Sequence, residues 1–350
     1  MDGMKQSSGK RYVHLDILRV LAICGVLFIH SGDYGIYRYV TSESRFVFWL
    51  GSFFVAVIQY CVPLFFIISG ALLLKKQESL SYVLKHRALR IVIVIAILVL
   101  IQYVRLKIAY PESYNLFIYI QMLYEGALQT EYWFLFEYLG FLLVLPFLQR
   151  MVGAVEKASW FVYLFLLYLV INCISPFVTL HMEWGNMKYR LPMFSVYIIC
   201  ALMGYFVEHR SGDFFLKGKN VLAFVPVVAL MVADTMYVNY RQISTSVAGC
   251  CSHYFVAFYA GFLYVAVRYI CHKCNMPEAL RKFFAFLGGG VFGTYLLENW
   301  LRPLFLPVYE VLYEKIGSYP AAFIWLFACL VVGILVSNLL KKVPGIGKLL

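Results

Sequence analysis

Charge is what this chain has least of: Asp, Glu, Lys and Arg make up 14% of its 350 residues, against 63% hydrophobic and 18% aromatic. A soluble domain cannot bury that proportion of apolar surface, so a water-soluble enzyme or binding module is excluded and a polytopic membrane protein is expected. Acid is scarcer still, with 18 Asp and Glu against 30 Lys and Arg, for a formal net charge of +12. In a soluble protein that excess would point to nucleic acid. Here the basic residues fall in short clusters between apolar runs and read as topology signals, with no nucleic-acid partner expected. The chain also lacks a fixed-period repeat, a low-complexity tract and any interrupting soluble stretch, so one membrane domain is expected to fill residues 1–350. A cysteine framework is missing too. Cys24, Cys61, Cys173, Cys200 and Cys329 lie inside apolar runs, where thiols act as small hydrophobes. "CHKC" (Cys271, Cys274) is a lone CxxC without a second pair of ligands, and no metal site is expected.

What the sequence does have is apolar length. Spanning segments are predicted at about 15–34, 48–74, 88–109, 132–149, 159–180, 191–208, 220–238, 253–270, 283–300 and 321–340, an all-α bundle of about ten transmembrane helices. The first run has no small-residue cleavage pattern after it and is expected to be a retained span rather than a signal peptide. Basic clusters fall on alternate loops: Lys10 and Arg11; Lys75, Lys76, Lys85, Arg87 and Arg90; Arg150 and Lys157; Arg210, Lys217 and Lys219; Lys273, Arg281 and Lys282; Lys341, Lys342 and Lys348. The positive-inside rule then puts both termini, the segment 1–14 and the tail 341–350, in the cytoplasm. The connection "PESYNLFIYIQMLYEGALQTE" is expected to lie along the outer interface. Its Tyr114, Phe117, Tyr119 and Tyr124 suit an aromatic belt better than a sugar-stacking site.

The stretch "LDILRVLAICGVLFIH" breaks the economy of charge. It carries Asp16, Arg19 and His30, and eleven helical steps bring His30 back to within about 20° of the face of Arg19, roughly 16 Å along the axis. Ionisable groups in a membrane helix cost roughly 2.5–3.5 kcal/mol each at its centre, so they ordinarily line an interior or a water-filled cavity. A structural ion pair and an interhelical hydrogen bond would also explain them. In "KKQESLSYVLKHRALR", Arg87 and Arg90 share a face, and positive-inside bias accounts for the lysines better than for an arginine within the span. Guanidinium forks suit phosphate oxygens. The GxGxxG match at Gly288, Gly290 and Gly293 is read as helix packing, because a dinucleotide turn needs a preceding strand. Glu298, near the outer end of the same span, is a candidate to face the cavity of His30. Glu131, Trp133 and Glu137 at the start of the fourth span, Tyr189 and Arg190 at the sixth, and His253 at the eighth are candidates to contact an external substrate, though each also suits interfacial anchoring.

These residues resemble the acyltransferase 3 family of bacterial membrane O-acyltransferases. Arg19 and His30 match its Arg, ten residues, His motif, and Arg87 and Arg90 its Arg-x-x-Arg. "PLFFIISGALLL", "YWFLFEYLGFLLVLPFL" and "VPGIGKLL" resemble its second span, fourth span and usual close. Where many members read Phe-Gly-x-Tyr-Leu-x-His, this chain reads "FGTYLLEN", with Glu298 at the histidine position. No esterase-like domain follows the tenth span, as in the shorter, surface-polysaccharide O-acetyltransferase-like members. The resemblance implies a cytoplasmic acyl-CoA donor, acetyl-CoA in the simplest case. It implies an acceptor hydroxyl on a glycan or lipid-linked saccharide at the outer face of a bacterial cytoplasmic membrane. His30 is then expected as the catalytic base and Arg87, Arg90 and Arg19 as donor-binding residues. Asp16, Glu298, Trp133, Glu137 and Arg190 are expected to hold substrate or support the site. Direct transfer and an acyl-histidine intermediate both stay open. The competing class is a secondary transporter or flippase in which His30 and Glu298 relay protons; a membrane sensor or scaffold would need no buried stripe.

Overall fold

The computed structural model describes residues 12–182, 195–241 and 252–350, with the backbone alone at 252–254. The segment 1–11, Tyr189, Arg190, Cys250 and Cys251 lie outside the described residues, and the side chain of His253 is likewise not described. The described chain is an all-α polytopic bundle without strands. In order it runs α1 (Val13–Ile29), α2 (Arg45–Ile58), α3 (Cys61–Leu73), α4 (Leu89–Ala109), α5 (Leu116–Glu125), α6 (Trp133–Ala154), α7 (Ala158–Tyr168), α8 (Ser175–Met182), α9 (Val196–His209), α10 (Val225–Arg241), α11 (Ser252–Lys273), α12 (Glu278–Ile316), α13 (Ser318–Leu340) and α14 (Ile346–Leu349).

Among the described residues seven helical stretches are long and apolar enough to cross a membrane: Arg45–Leu73, Leu80–Ala109, Thr130–Ala154, Ala158–Met182, Gly218–Arg241, Phe255–Lys273 and Ser318–Leu340. The other three expected spans fall on α1, α9 and α12. The first two are short, at 17 and 14 residues, and α12 runs for 39 residues with charges along it. The count of ten therefore rests on helices that length and hydropathy alone do not qualify.

The departures from the sequence reading have physical causes. The second span is two helices, because the chain turns at Gln59 and Tyr60. The helix that holds the ninth span does not stop near residue 300: α12 continues to Ile316 through Pro303 and Pro307, residues that ordinarily break helices but here sit inside one. The first span ends earlier than expected, so His30 is the C-cap of α1 and not an interior helical residue. In the connection after α4, Tyr114 and Tyr119 pack on Tyr103, while Phe117 and Tyr124 are exposed.

The core is organised around α1, which packs on α12, α3, α11 and α13. Helices α3 and α9 approach to backbone contact: a Cβ on Gly70 would run into the Ala201 carbonyl, and one on Gly204 into that of Ile67. Small residues let backbones meet where lipid supplies no hydrophobic drive between helices. The glycines of α12 work in the same way. A Cβ on Gly288 would sit 2.8 Å from Asp16 Oδ1, and one on Gly290 3.0 Å from the Ile334 backbone.

Candidate active site

One cavity of about 750 Å³ occupies the middle of the bundle, and its wall contains both Arg19 and His30. Arg87, Arg90, His86 and Lys341 line one end, and Glu131, Trp133, Tyr37 and Tyr197 lie towards the other. The two ends are set by α1, whose eleven steps from Arg19 to His30 rise about 16 Å. Trp133 also touches Tyr197, with ring centroids 6.1 Å apart. Glu137 is exposed on α6 and is not part of the wall.

At the histidine end, His30 Nδ1 lies 2.7 Å from Glu298 Oε1. Glu298 is 0% exposed and does not line the cavity. The expectation that it faces the cavity is thus corrected: it stands behind the imidazole, because α12 packs against α1 at that level and buries the carboxylate between them. An ionised carboxylate only accepts hydrogen bonds, so with Glu298 in that form the contact would hold the proton on Nδ1 and leave Nε2 as the basic nitrogen of the ring that lines the cavity.

The helix terminus itself is tied down. The last carbonyls of a helix lack intrahelical partners and attract cations. Arg302, four residues after Glu298 on α12, donates to the His30 carbonyl and to Asn299 Oδ1, and pairs with Glu131 Oε1 at 2.7 Å. Tyr295 Oη donates to the Glu131 carbonyl at 2.8 Å and Tyr132 Oη to that of Leu296 at 2.9 Å. The end of α1, the start of α6 and α12 are therefore stapled together around the imidazole. The sequence analysis did not single out Arg302. Its spacing from Glu298 was the available clue, but its partners come from positions 30 and 131.

At the arginine end each cation also has a defined partner. Asp16, 1% exposed, accepts from Arg19 Nη1 at 2.7 Å and stands behind it, outside the wall. Arg87 sits on a π-helical turn, Leu84–Ala88, a local widening of the helix that recurs at functional sites. Its Nε and Nη2 meet Glu78 Oε2 and Oε1 at 2.8 and 2.5 Å, a bidentate fork. Buried Gln149 holds that loop, donating to the Leu73 carbonyl at 2.9 Å and accepting from Glu78 N at 3.1 Å. Burial alone would raise the Glu78 carboxyl, but hydrogen bonds from Arg87 and Gln149 hold it below its ordinary value. Arg90 donates to the Leu349 carbonyl at 3.1 Å and lies over the Phe292 ring, and Lys341 Nζ donates to the Gly289 carbonyl. Arg87 keeps Nη1, and Arg90 its two Nη groups, for a further anion. Among the described residues no cluster of His, Cys, Asp and Glu is arranged to hold a metal.

A family model described as an acyltransferase domain, Acyl_transf_3, matches residues 12–341. The chain belongs to the acyltransferase 3 family. Comparison with curated proteins and with solved structures gives no match. Membership makes this multi-pass helical bundle a membrane acyltransferase, and Arg19, His30, Arg87 and Arg90 all lie on the wall of one cavity.

Proposed function

We propose that the protein is an O-acyltransferase that takes an acyl group, acetyl in the simplest case, from acyl-CoA at the arginine end and delivers it to a hydroxyl of a glycan or lipid-linked saccharide at the histidine end. The observation that carries this reading is the single cavity shared by four cations at one end and a carboxylate-backed imidazole at the other. The arginine end suits the nucleotide phosphates, and the roughly 16 Å between Arg19 and His30 suits an extended pantetheine arm carrying a thioester. By the positive-inside rule the arginine end faces the cytoplasm of a bacterial cell, and the acceptor meets His30 from outside.

In the chemical step the acceptor hydroxyl oxygen attacks the thioester carbonyl while His30 Nε2 takes its proton. The tetrahedral intermediate collapses, the C–S bond breaks, and the imidazolium returns the proton to the departing CoA thiolate. Glu298 holds the imidazole in the right tautomer and balances its transient charge. Arg302 fixes the backbone of His30 and is a positioning residue. A proton-relaying transporter would use the same His30–Glu298 contact, and CoA release separates the two readings. The test is CoA release from acetyl-CoA supplied to the arginine side of sealed vesicles holding the purified protein. Release that depends on an acceptor on the opposite side supports the proposal; solute or proton movement without CoA release overturns it.

A further inference from the structure

The distribution of charge along the cavity narrows the acceptor. Among the described residues its four cationic lining residues, Arg19, Arg87, Arg90 and Lys341, all belong to the arginine end. Towards His30 the wall offers Glu131 and the aromatic rings of Trp133, Phe134, Tyr37 and Tyr197. The nearest cation to His30, Arg302, is not part of the wall, and its guanidinium is engaged by the His30 carbonyl, Asn299 and Glu131. Among the described residues, an acidic sugar would meet a carboxylate on the wall there and no counter-ion.

Resting on the acyl-transfer reading above, we propose that the reacting sugar residue is uncharged, that Glu131 accepts hydrogen bonds from its hydroxyls, and that Trp133 stacks on its ring. Arg302 takes Glu131 Oε1 at 2.7 Å, whereas Oε2 has only a 3.4 Å contact from Thr130 Oγ1. Oε2 therefore keeps acceptor capacity towards the cavity, and an ionised carboxylate is an acceptor only, suited to hydroxyl hydrogens. Trp133 lines the cavity while 41% exposed, so its ring is open to a ligand. A few fixed polar groups among aromatic walls is the usual make-up of a small-ligand site. A carboxylate on the sugar would sit beside Glu131, and like charges at that range repel.

The test locates the acyl group. Envelope glycans of a deletion strain and its parent are compared by tandem mass spectrometry, and the unacylated glycan from the deletion strain then serves as acceptor for purified protein. The expected result is an acyl group lost from a sugar without a carboxylate. Glu131→Gln should raise the acceptor KM at least tenfold with CoA affinity within twofold of the parent, and Trp133→Ala should do the same if Glu131→Gln folds poorly. An acyl group on a uronate or sialate, or an unchanged acceptor KM in both folded variants, overturns the inference while CoA binding leaves the acyl-transfer reading standing. Absence of CoA binding, or no glycan losing an acyl group, overturns both.

Discussion

Replacing Glu298 with glutamine isolates the electrostatic part of the proposed chemistry. The carboxylate oxygen lies 2.7 Å from His30 Nδ1. With charge centres roughly 4 Å apart and an effective dielectric of ~20, the attraction between a carboxylate and an imidazolium is about 4 kcal/mol. An imidazolium forms only in the transition state and the intermediate, so that attraction appears in turnover, at about a factor of 10³. The amide adds a second effect. Its NH₂ can donate to Nδ1, which moves the imidazole proton to Nε2 and removes the base, so the loss is expected between about 10² and 10⁴. Folding should not suffer: Glu298 is 0% exposed and its Oε2 has no hydrogen-bond partner, so a neutral amide buries less charge in the same volume. The assay is acyl transfer in vesicles normalised to folded protein, with CoA affinity measured alongside and expected to hold, since the donor phosphates bind at the other end. Activity within threefold of the parent would refute the role assigned to Glu298.

Other perturbations separate the donor end and the packing. Arg87→Ala and Arg90→Ala should each weaken CoA binding in calorimetric titration by about tenfold or more, with lysine rescuing only in part because it lacks the planar fork; parental affinity in both alanine variants would reduce the arginines to topology signals. Gly70→Ala should lower stability by about 1–3 kcal/mol, read as loss of monodisperse folded protein on heating, because the added methyl meets the Ala201 carbonyl; an unshifted melting curve would contradict the α3–α9 contact. Because the Glu78 carboxyl is held below its ordinary value, its contribution is fully present above the unfolded carboxyl pKa of about 4.3 and is lost as pH falls through the lower folded value. The difference in melting temperature between the parent and Glu78→Gln should therefore be constant from about pH 7 to pH 5 and shrink below about pH 4; a difference that grows on acidification would reverse the sign.

Hydropathy made seven of the spans and the all-helical class legible, and the Arg19–His30 spacing anticipated that both side chains line one cavity. The partners of those residues were less visible. Asp16 could be paired with Arg19 because an i,i+3 relation is local. Glu298 reaches His30 across 268 positions, and Arg302 caps α1 from α12, so neither contact leaves a periodic trace. The break at Gln59 and Tyr60 was hidden inside a continuous apolar run, since hydrophobicity does not report a turn that the bundle interior shelters. The run of α12 through Pro303 and Pro307 was not visible either, since proline ordinarily ends a helix. Glu78 was visible as the lone acid of a basic loop, but its bidentate hold on Arg87 depends on Gln149 of α6, far along the chain.

The central claim is that His30 acts as a base on an acceptor while the donor is held elsewhere in the same cavity. The most direct measurement is acyl transfer by His30→Gln, normalised to folded protein, with CoA affinity determined on the same preparation. Glutamine can keep a hydrogen bond to Glu298 without accepting the hydroxyl proton, so general-base catalysis predicts turnover reduced by about 10² to 10⁴ at near-parental CoA affinity. Full turnover in that variant would contradict the claim and leave the imidazole as a packing element at the end of α1.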